Sequence, residues 1–209
     1  MDRNAPSNRT TRRRGIPAAC ATALALACAV ALPAHAGKVT PPAVPDNLQV
    51  NAGSRAFLVG HAFGTQNYVC QPAKSLGQVV WTLFTPEATL FNEQRDQLIT
   101  HFFSPNPAEG GVAIRATWQD SRDTSIVWAR AIASAADPTG SGAIPWVTLV
   151  TVGTQVGPTG GTTLSKTTFV QRLNTVGGSA PETGCDIPTD IGKKAFQPYT
   201  ADYFFYKLP

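Results

Sequence analysis

The chain reads as an all-β protein: a single antiparallel domain, a β-sandwich or flattened barrel, with one disulfide and little helix. Three observations point there. Glycine (18) and proline (17) punctuate the 209 residues at short intervals. Between them lie short segments rich in Val, Ile, Thr, Phe, Tyr and Trp, several with a period of two. Helical periodicity is weak throughout.

The elements follow in order. Residues 1–36 read as a secretory signal: Arg12, Arg13 and Arg14, an apolar run from Ile16 to Leu32, then small residues at Ala34 and Ala36. This predicts export to a periplasmic or extracellular address. A lipidation box at Cys28 is poor, because Ala25 stands at its −3 position. Cleavage after Ala34 would expose His35 as a copper-chelating terminus, but it would place Leu32 at −3. Residues 37–47 are a proline-rich lead-in, expected to be extended. A single β domain then runs over 48–209.

The candidate strands are Arg55–His61, Gln66–Cys70, Gln78–Phe84, Gln97–Ser104, Val112–Gln119, Thr124–Ala133, Ile144–Val152, Thr167–Asn174 and Tyr199–Tyr206. Val112, Ile114, Ala116 and Trp118 share one face of their segment, the mark of a half-buried antiparallel strand. Ile144–Val152 is apolar on both faces and fits a central position. Arg172 shares the Val170 face, opposite Phe169, Gln171 and Leu173. Tyr199, Tyr203 and Tyr206 suggest a terminal strand with one face buried. Glu93–Thr100 and Asp190–Ala195 could each make a short helix. Gly157–Thr163 is a glycine-rich loop and matches no phosphate-binding pattern.

Charge and cysteine count change once the signal is subtracted. Five of the 17 basic residues and one of the 13 acids precede residue 37, so the remainder balances at 12 of each. That removes the case for a nucleic-acid partner, which needs clustered cations. No further apolar run reaches the ~20 residues of a membrane-spanning helix. Cys20 and Cys28 fall in the signal. Cys70 and Cys185 remain as one pair, expected to form a disulfide in an oxidising compartment; a reactive or metal-binding thiol pair is the alternative.

Catalytic equipment is sparse. There is no G-x-S-x-G elbow and no H-E-x-x-H. Residues 37–209 hold two histidines, His61 and His101. Two histidines and a carboxylate can hold a metal, with Asp120, Asp123 or Glu109 as third ligand; a core role for each histidine is the plainer expectation, and no metal or cofactor is expected. Asp120-Ser121-Arg122-Asp123 reads as a turn with carboxylates on backbone N–H groups. Beside Trp118 it also has the composition of a sugar-facing groove. The candidate ligand-binding residues are Gln66, Tyr68, His101, Trp118, Asp120, Arg122 and Arg172, a set that marks a site if it converges in one cleft; Gln66 and Tyr68 enter it from the family blocks below. The leading expectation is a non-catalytic binding or envelope-associated module, with a polysaccharide or cell-envelope component as partner. The alternative is a secreted hydrolase or metal-dependent enzyme using His61 and His101 with Asp120 or Asp123.

Several blocks resemble a known family. His61-Ala62-x-Gly64-x-Gln66-x-Tyr68-x-Cys70 precedes Trp81-Thr82-Leu83-Phe84-x-Pro86-x-Ala88. Ile144-Pro145-Trp146, Gln171-Arg172-Leu173-Asn174-Thr175-x-Gly177-Gly178-x-Ala180-Pro181-x-x-Gly184-Cys185 and Tyr199-x-Ala201-Asp202-Tyr203-x-Phe205-Tyr206 follow. Together they resemble secreted bacterial and fungal proteins grouped as domain-of-unknown-function family 3455, from about Val44 to Lys207. The His101–Thr124 stretch is closer to the fungal members, and His101 matches by position only. The resemblance implies an address and a fold, and no reaction. Some fungal members carry a dehydrogenase-like label, for which this chain has no dinucleotide fingerprint. Both cysteines fall in family motifs, which strengthens the disulfide.

Overall fold

The computed structural model describes residues 39–209, within one compact unit, Gly37–Pro209. The expected signal segment lies outside the described residues. Eight strands follow one another: β1 Arg55–Pro72, β2 Val79–Phe91, β3 Gln97–Pro105, β4 Ile114–Asp120, β5 Ile126–Ala135, β6 Trp146–Gln155, β7 Phe169–Gly177 and β8 Lys194–Lys207. Each pairs antiparallel with the next, and β8 returns to β1 to close a barrel. Of the two expected architectures, the barrel is the one formed. Eight strands enclose an interior wide enough for side chains or for one small ligand.

Two expected strands fuse into β1 because Gly64 is not a turn. It faces Ala88 across the β1–β2 ladder, and a Cβ there would lie 2.0 Å from the Glu87 carbonyl oxygen. Glycine is what lets the two backbones approach. β2 likewise continues through Pro86. Its ladder to β3 covers only Ala88–Phe91, so the missing N–H of Pro86 costs no pairing there. Phe103 N–H instead reaches Thr85 Oγ1 at 3.1 Å.

The two expected short helices are absent. Asn92–Asp96 is the β2–β3 turn, with Arg95 at φ 66°, and β3 begins at Gln97. A 3-10 turn spans Pro188–Asp190, and β8 begins at Lys194. Gly192, at φ 90°, turns the chain away from a helix between them.

Alternation sorts the side chains into two cores. Inside the barrel pack Leu90, Ile99, Trp118, Val170, Tyr203 and Phe205, among others. Outside, Trp146, Phe169, Leu173, Phe204 and Tyr206 form a second cluster. Leu48 joins this cluster, and Val39 and Val44 of the lead-in, with Val50 just after it, pack against it. The lead-in is thus a packed strap with a 3-10 turn at Asp46–Leu48. The Leu48 carbonyl accepts from Thr148 Oγ1 and from Gln171 Nε2, both at 2.6 Å. The Tyr206 hydroxyl donates to Gln171 Oε1. Both faces of β8 are therefore buried, where one was expected.

The two ends of the barrel differ. At one end the β6–β7 loop folds across, and Leu164 enters the inner core with 0% exposure. Asp123 fixes that loop, accepting from Ser125 N and Oγ and from Thr163 N and Oγ1 at 2.6–2.9 Å. At the other end Cys70 and Cys185 form the expected disulfide, Cα–Cα 5.5 Å. It ties the β7–β8 connection to the end of β1. Trp81 Nε1 donates to the Thr183 carbonyl across the same end. Among the described residues no helix is long and apolar enough to cross a membrane.

Candidate functional site

A cavity of about 290 Å³ occupies the barrel interior toward the disulfide end. Leu83, Pro86, Phe103, Val147 and Leu149 supply apolar wall, Arg115 and Arg130 add to the lining, and Gln66, His101, Trp118 and Arg172 supply polar groups. The strands explain why these four meet. Trp118 and His101 are cross-strand partners on β4 and β3. Arg172 lies between Val147 and Tyr203 in the β6–β7–β8 ladder, on the same inward face as Val170. Gln66 faces Pro86.

His101 is 4% exposed. Its ring stacks on Trp118, centroids 4.4 Å apart and planes 5° from parallel, and lies 5.0 Å from the Tyr203 ring. Burial pushes its pKa down to about 3, the Thr117 carbonyl opposes this, and the Arg172 charge adds to it. The imidazole is therefore neutral at pH 7. Its Nδ1–H donates to the Thr117 carbonyl at 2.8 Å, which leaves Nε2 as an acceptor. A base held so far below neutrality is a poor proton-transfer group.

Arg172 donates from Nε and Nη2 to the Pro145 carbonyl at 3.3 and 2.9 Å. Among the described residues no carboxylate lies within ion-pair distance of it. Burial raises the hydroxyl pKa values of Tyr68, Tyr199 and Tyr203, and the Arg172 charge pulls each partly back. All three remain phenols. Two donors at the cavity are poorly partnered although buried: Trp118 Nε1 has no partner, and Gln66 Nε2 has only the Tyr199 hydroxyl beside it. Both side chains are 1% exposed, and orphaned donors at such depth are uncommon.

Of the seven expected site residues, four converge on this cavity. Tyr68 stands beside it, its hydroxyl donating to the Gly178 carbonyl at 2.8 Å. Gly178 has φ 81°, and a Cβ there would meet Tyr199 Cβ at 2.9 Å and Gln66 Cγ at 3.1 Å. Asp120 and Arg122 do not join. They belong to the turn after β4, at the plugged end. Asp120 Oδ1 accepts from Arg122 N and Asp123 N at 2.8 Å, so the turn reading of this stretch holds. Asp123 is consumed by its four bonds. Burial alone would raise its pKa, but those donors hold it well below the usual carboxylate range.

The combination of His61 and His101 with Asp120 or Asp123 is not assembled. His61 faces the outer wall, where Nδ1 lies 2.6 Å from Asp202 Oδ1; Asn174 Nδ2 donates to Asp202 Oδ2 at 2.7 Å. His101 faces the lumen, so the barrel wall separates the two. Among the described residues no group of three or more His, Cys, Asp or Glu could hold a metal ion. Glu109 is also committed: hydrogen bonds from Arg115 and Asn106 hold its pKa down to about 2.

Sequence reasoning missed the apolar walls and the Leu164 plug. The alternation of Phe103 with His101 was legible. Nothing local marks Leu164, whose burial depends on a loop folding across the barrel end.

No curated protein and no solved structure matches the chain. A family model described as "Protein of unknown function (DUF3455)" matches residues 51–207, from just before β1 to the last residue of β8. The match takes in the whole barrel, the disulfide and all four cavity residues, and the chain therefore belongs to that family.

Proposed function

We propose that this protein is an exported, non-catalytic binding module that holds one small, largely apolar molecule inside its barrel. The observation that carries this reading is convergence. Gln66, His101, Trp118 and Arg172, from four different strands, line one cavity of about 290 Å³ with apolar walls. A concave apolar pocket with a few convergent polar groups is the usual form of a ligand site. Water takes about 30 Å³ per molecule, so this space suits a ligand of about ten non-hydrogen atoms. A neutral His101, and hydroxyls committed to local bonds, favour binding over turnover.

A polysaccharide partner fits less well. The ring expected to stack on sugars is inward: Trp118 is 1% exposed. The test is direct. Benzyl alcohol titrated into the purified protein should bind saturably, one per chain, by calorimetry. Ala116→Phe, which fills the lumen beside Trp118, should abolish it while leaving the circular dichroism spectrum unchanged. Retention on insoluble polysaccharide, with no binding of benzyl alcohol or benzoate, would overturn the proposal.

A further inference from the structure

We propose that Arg172 and Gln66 form an acid-recognising end of the lumenal site, and that its ligand class is small monocarboxylic acids with an apolar body. This rests on the lumenal-binding reading above and adds to it the charge of the ligand.

The charge balance of the cavity carries the inference. Arg172 brings a permanent positive charge to an apolar-walled space, and among the described residues no acid answers it. Arg172 is only partly buried, and even partial removal of a cation from water favours an anionic partner. A guanidinium has five donors in a planar fork; Nε and Nη2 reach the Pro145 carbonyl and the Tyr203 hydroxyl is a further partner, which still leaves donors free. The fork matches a carboxylate in shape and charge.

Gln66 gives independent support. Its amide is 1% exposed and lines the same cavity. Its one polar neighbour is the Tyr199 hydroxyl, and an amide NH2 has two donors, so donor capacity is left for an acceptor that comes with the ligand. Trp118 Nε1 is a second such donor.

The remaining groups favour a single negative charge. His101 is neutral and donates only to its own strand partner. Arg115, also at the cavity, is already paired with both oxygens of Glu109, at 2.7 and 2.8 Å. Arg130, which also lines the cavity, is exposed and its charge acts on Glu109. Arg172 is thus the one partly buried cation of the lining without an acid, which suits a monoacid better than a diacid or a phosphate dianion. The apolar walls (Leu83, Pro86, Phe103, Leu149) would take its ring or short chain.

Calorimetric titration of the purified full chain with benzoate, with benzamide as its neutral isostere and with inorganic phosphate tests this. Benzoate should bind about tenfold to a hundredfold more tightly than benzamide, the range of a charge-assisted pair. Phosphate should not compete. Arg172→Met should erase the preference while benzamide still binds, and Gln66→Leu should weaken benzoate severalfold. The wild-type comparison stands even if a variant fails to fold. Equal binding of benzoate and benzamide, or displacement of benzoate by phosphate, would overturn the acid-recognition proposal and leave the lumenal site intact. Failure of benzoate, benzamide and benzyl alcohol alike would overturn both.

Discussion

His101 shows how one side chain links burial to pH. Its neighbours are the Trp118 ring, the Tyr203 phenol, the Thr117 carbonyl and the Arg172 guanidinium. The Thr117 carbonyl and the face of the Trp118 ring favour an imidazolium, but burial outweighs them and the Arg172 charge opposes it. Folded, His101 titrates near 3; unfolded, it titrates near 6.5. The unfolded chain therefore takes up its proton first. Stability is complete above about pH 6.5 and falls by about 1.4 kcal/mol per pH unit as pH drops toward 3. Above about pH 5.5 the carboxylates held low (Glu109, Asp137 and Asp190, each near 2) are ionised in both states and do not contribute to the slope. Urea unfolding at pH 7, 6 and 5 should show the decline, and His101→Gln should flatten it. An unchanged slope in that variant would assign the decline to another group.

At the scale of elements, the β4–β5 turn and the β6–β7 loop act as one unit. Asp123 joins them through four hydrogen bonds, and Leu164 N donates to Ser125 Oγ at 3.0 Å. The packing is tight: a Cβ on Gly161 would sit 2.4 Å from Asp123 Cβ. Asp123→Ala should cost roughly 2–3 kcal/mol, discounted for partial exposure, since charge-assisted bonds are lost and buried donors are left without partners. Leu164→Ala should cost a similar 2–5 kcal/mol by opening a cavity in the inner core. If the plug is a unit, the double variant should cost less than the sum. Guanidinium denaturation of the four proteins checks this, and strict additivity would show that the turn and the plug act separately.

Sequence patterns gave most elements but misjudged their ends for identifiable reasons. Gly64 and Pro86 looked like breaks. Each instead sits where the barrel needs a small residue or lacks a ladder partner, a condition set by the neighbouring strand.

For the whole molecule, the disulfide spans 115 residues of sequence. A loop of that length restricts the unfolded chain by about 4–5 kcal/mol in the chain-entropy view. Cys70→Ser with Cys185→Ser should lower stability by about that amount. It should also loosen the β7–β8 connection, seen as faster amide exchange near Gly178 and Gly184. Because Gly178 packs on Gln66, lumenal binding should weaken as well. Unchanged exchange in the double variant would mean that the Trp81 and Tyr68 contacts hold that end unaided.

By itself the sequence determined the all-β class, eight of the strands in outline, the single cysteine pair and the inward face of β4. These depend on local patterning and simple counting. Motif and family reading also put forward Gln66, Tyr68, His101, Trp118, Asp120, Arg122 and Arg172 as one candidate set, of which Gln66, His101, Trp118 and Arg172 line the cavity. Only the tertiary structure decided that the sheet closes, because closure depends on β1 finding β8 across most of the chain. Closure in turn put His61 outside and His101 inside, sent Asp120 and Arg122 to the plugged end, and placed Arg172 in a lumen without a counter-charge. Whether a side chain is a partner or an orphan depends on residues distant in sequence, and no local pattern records it.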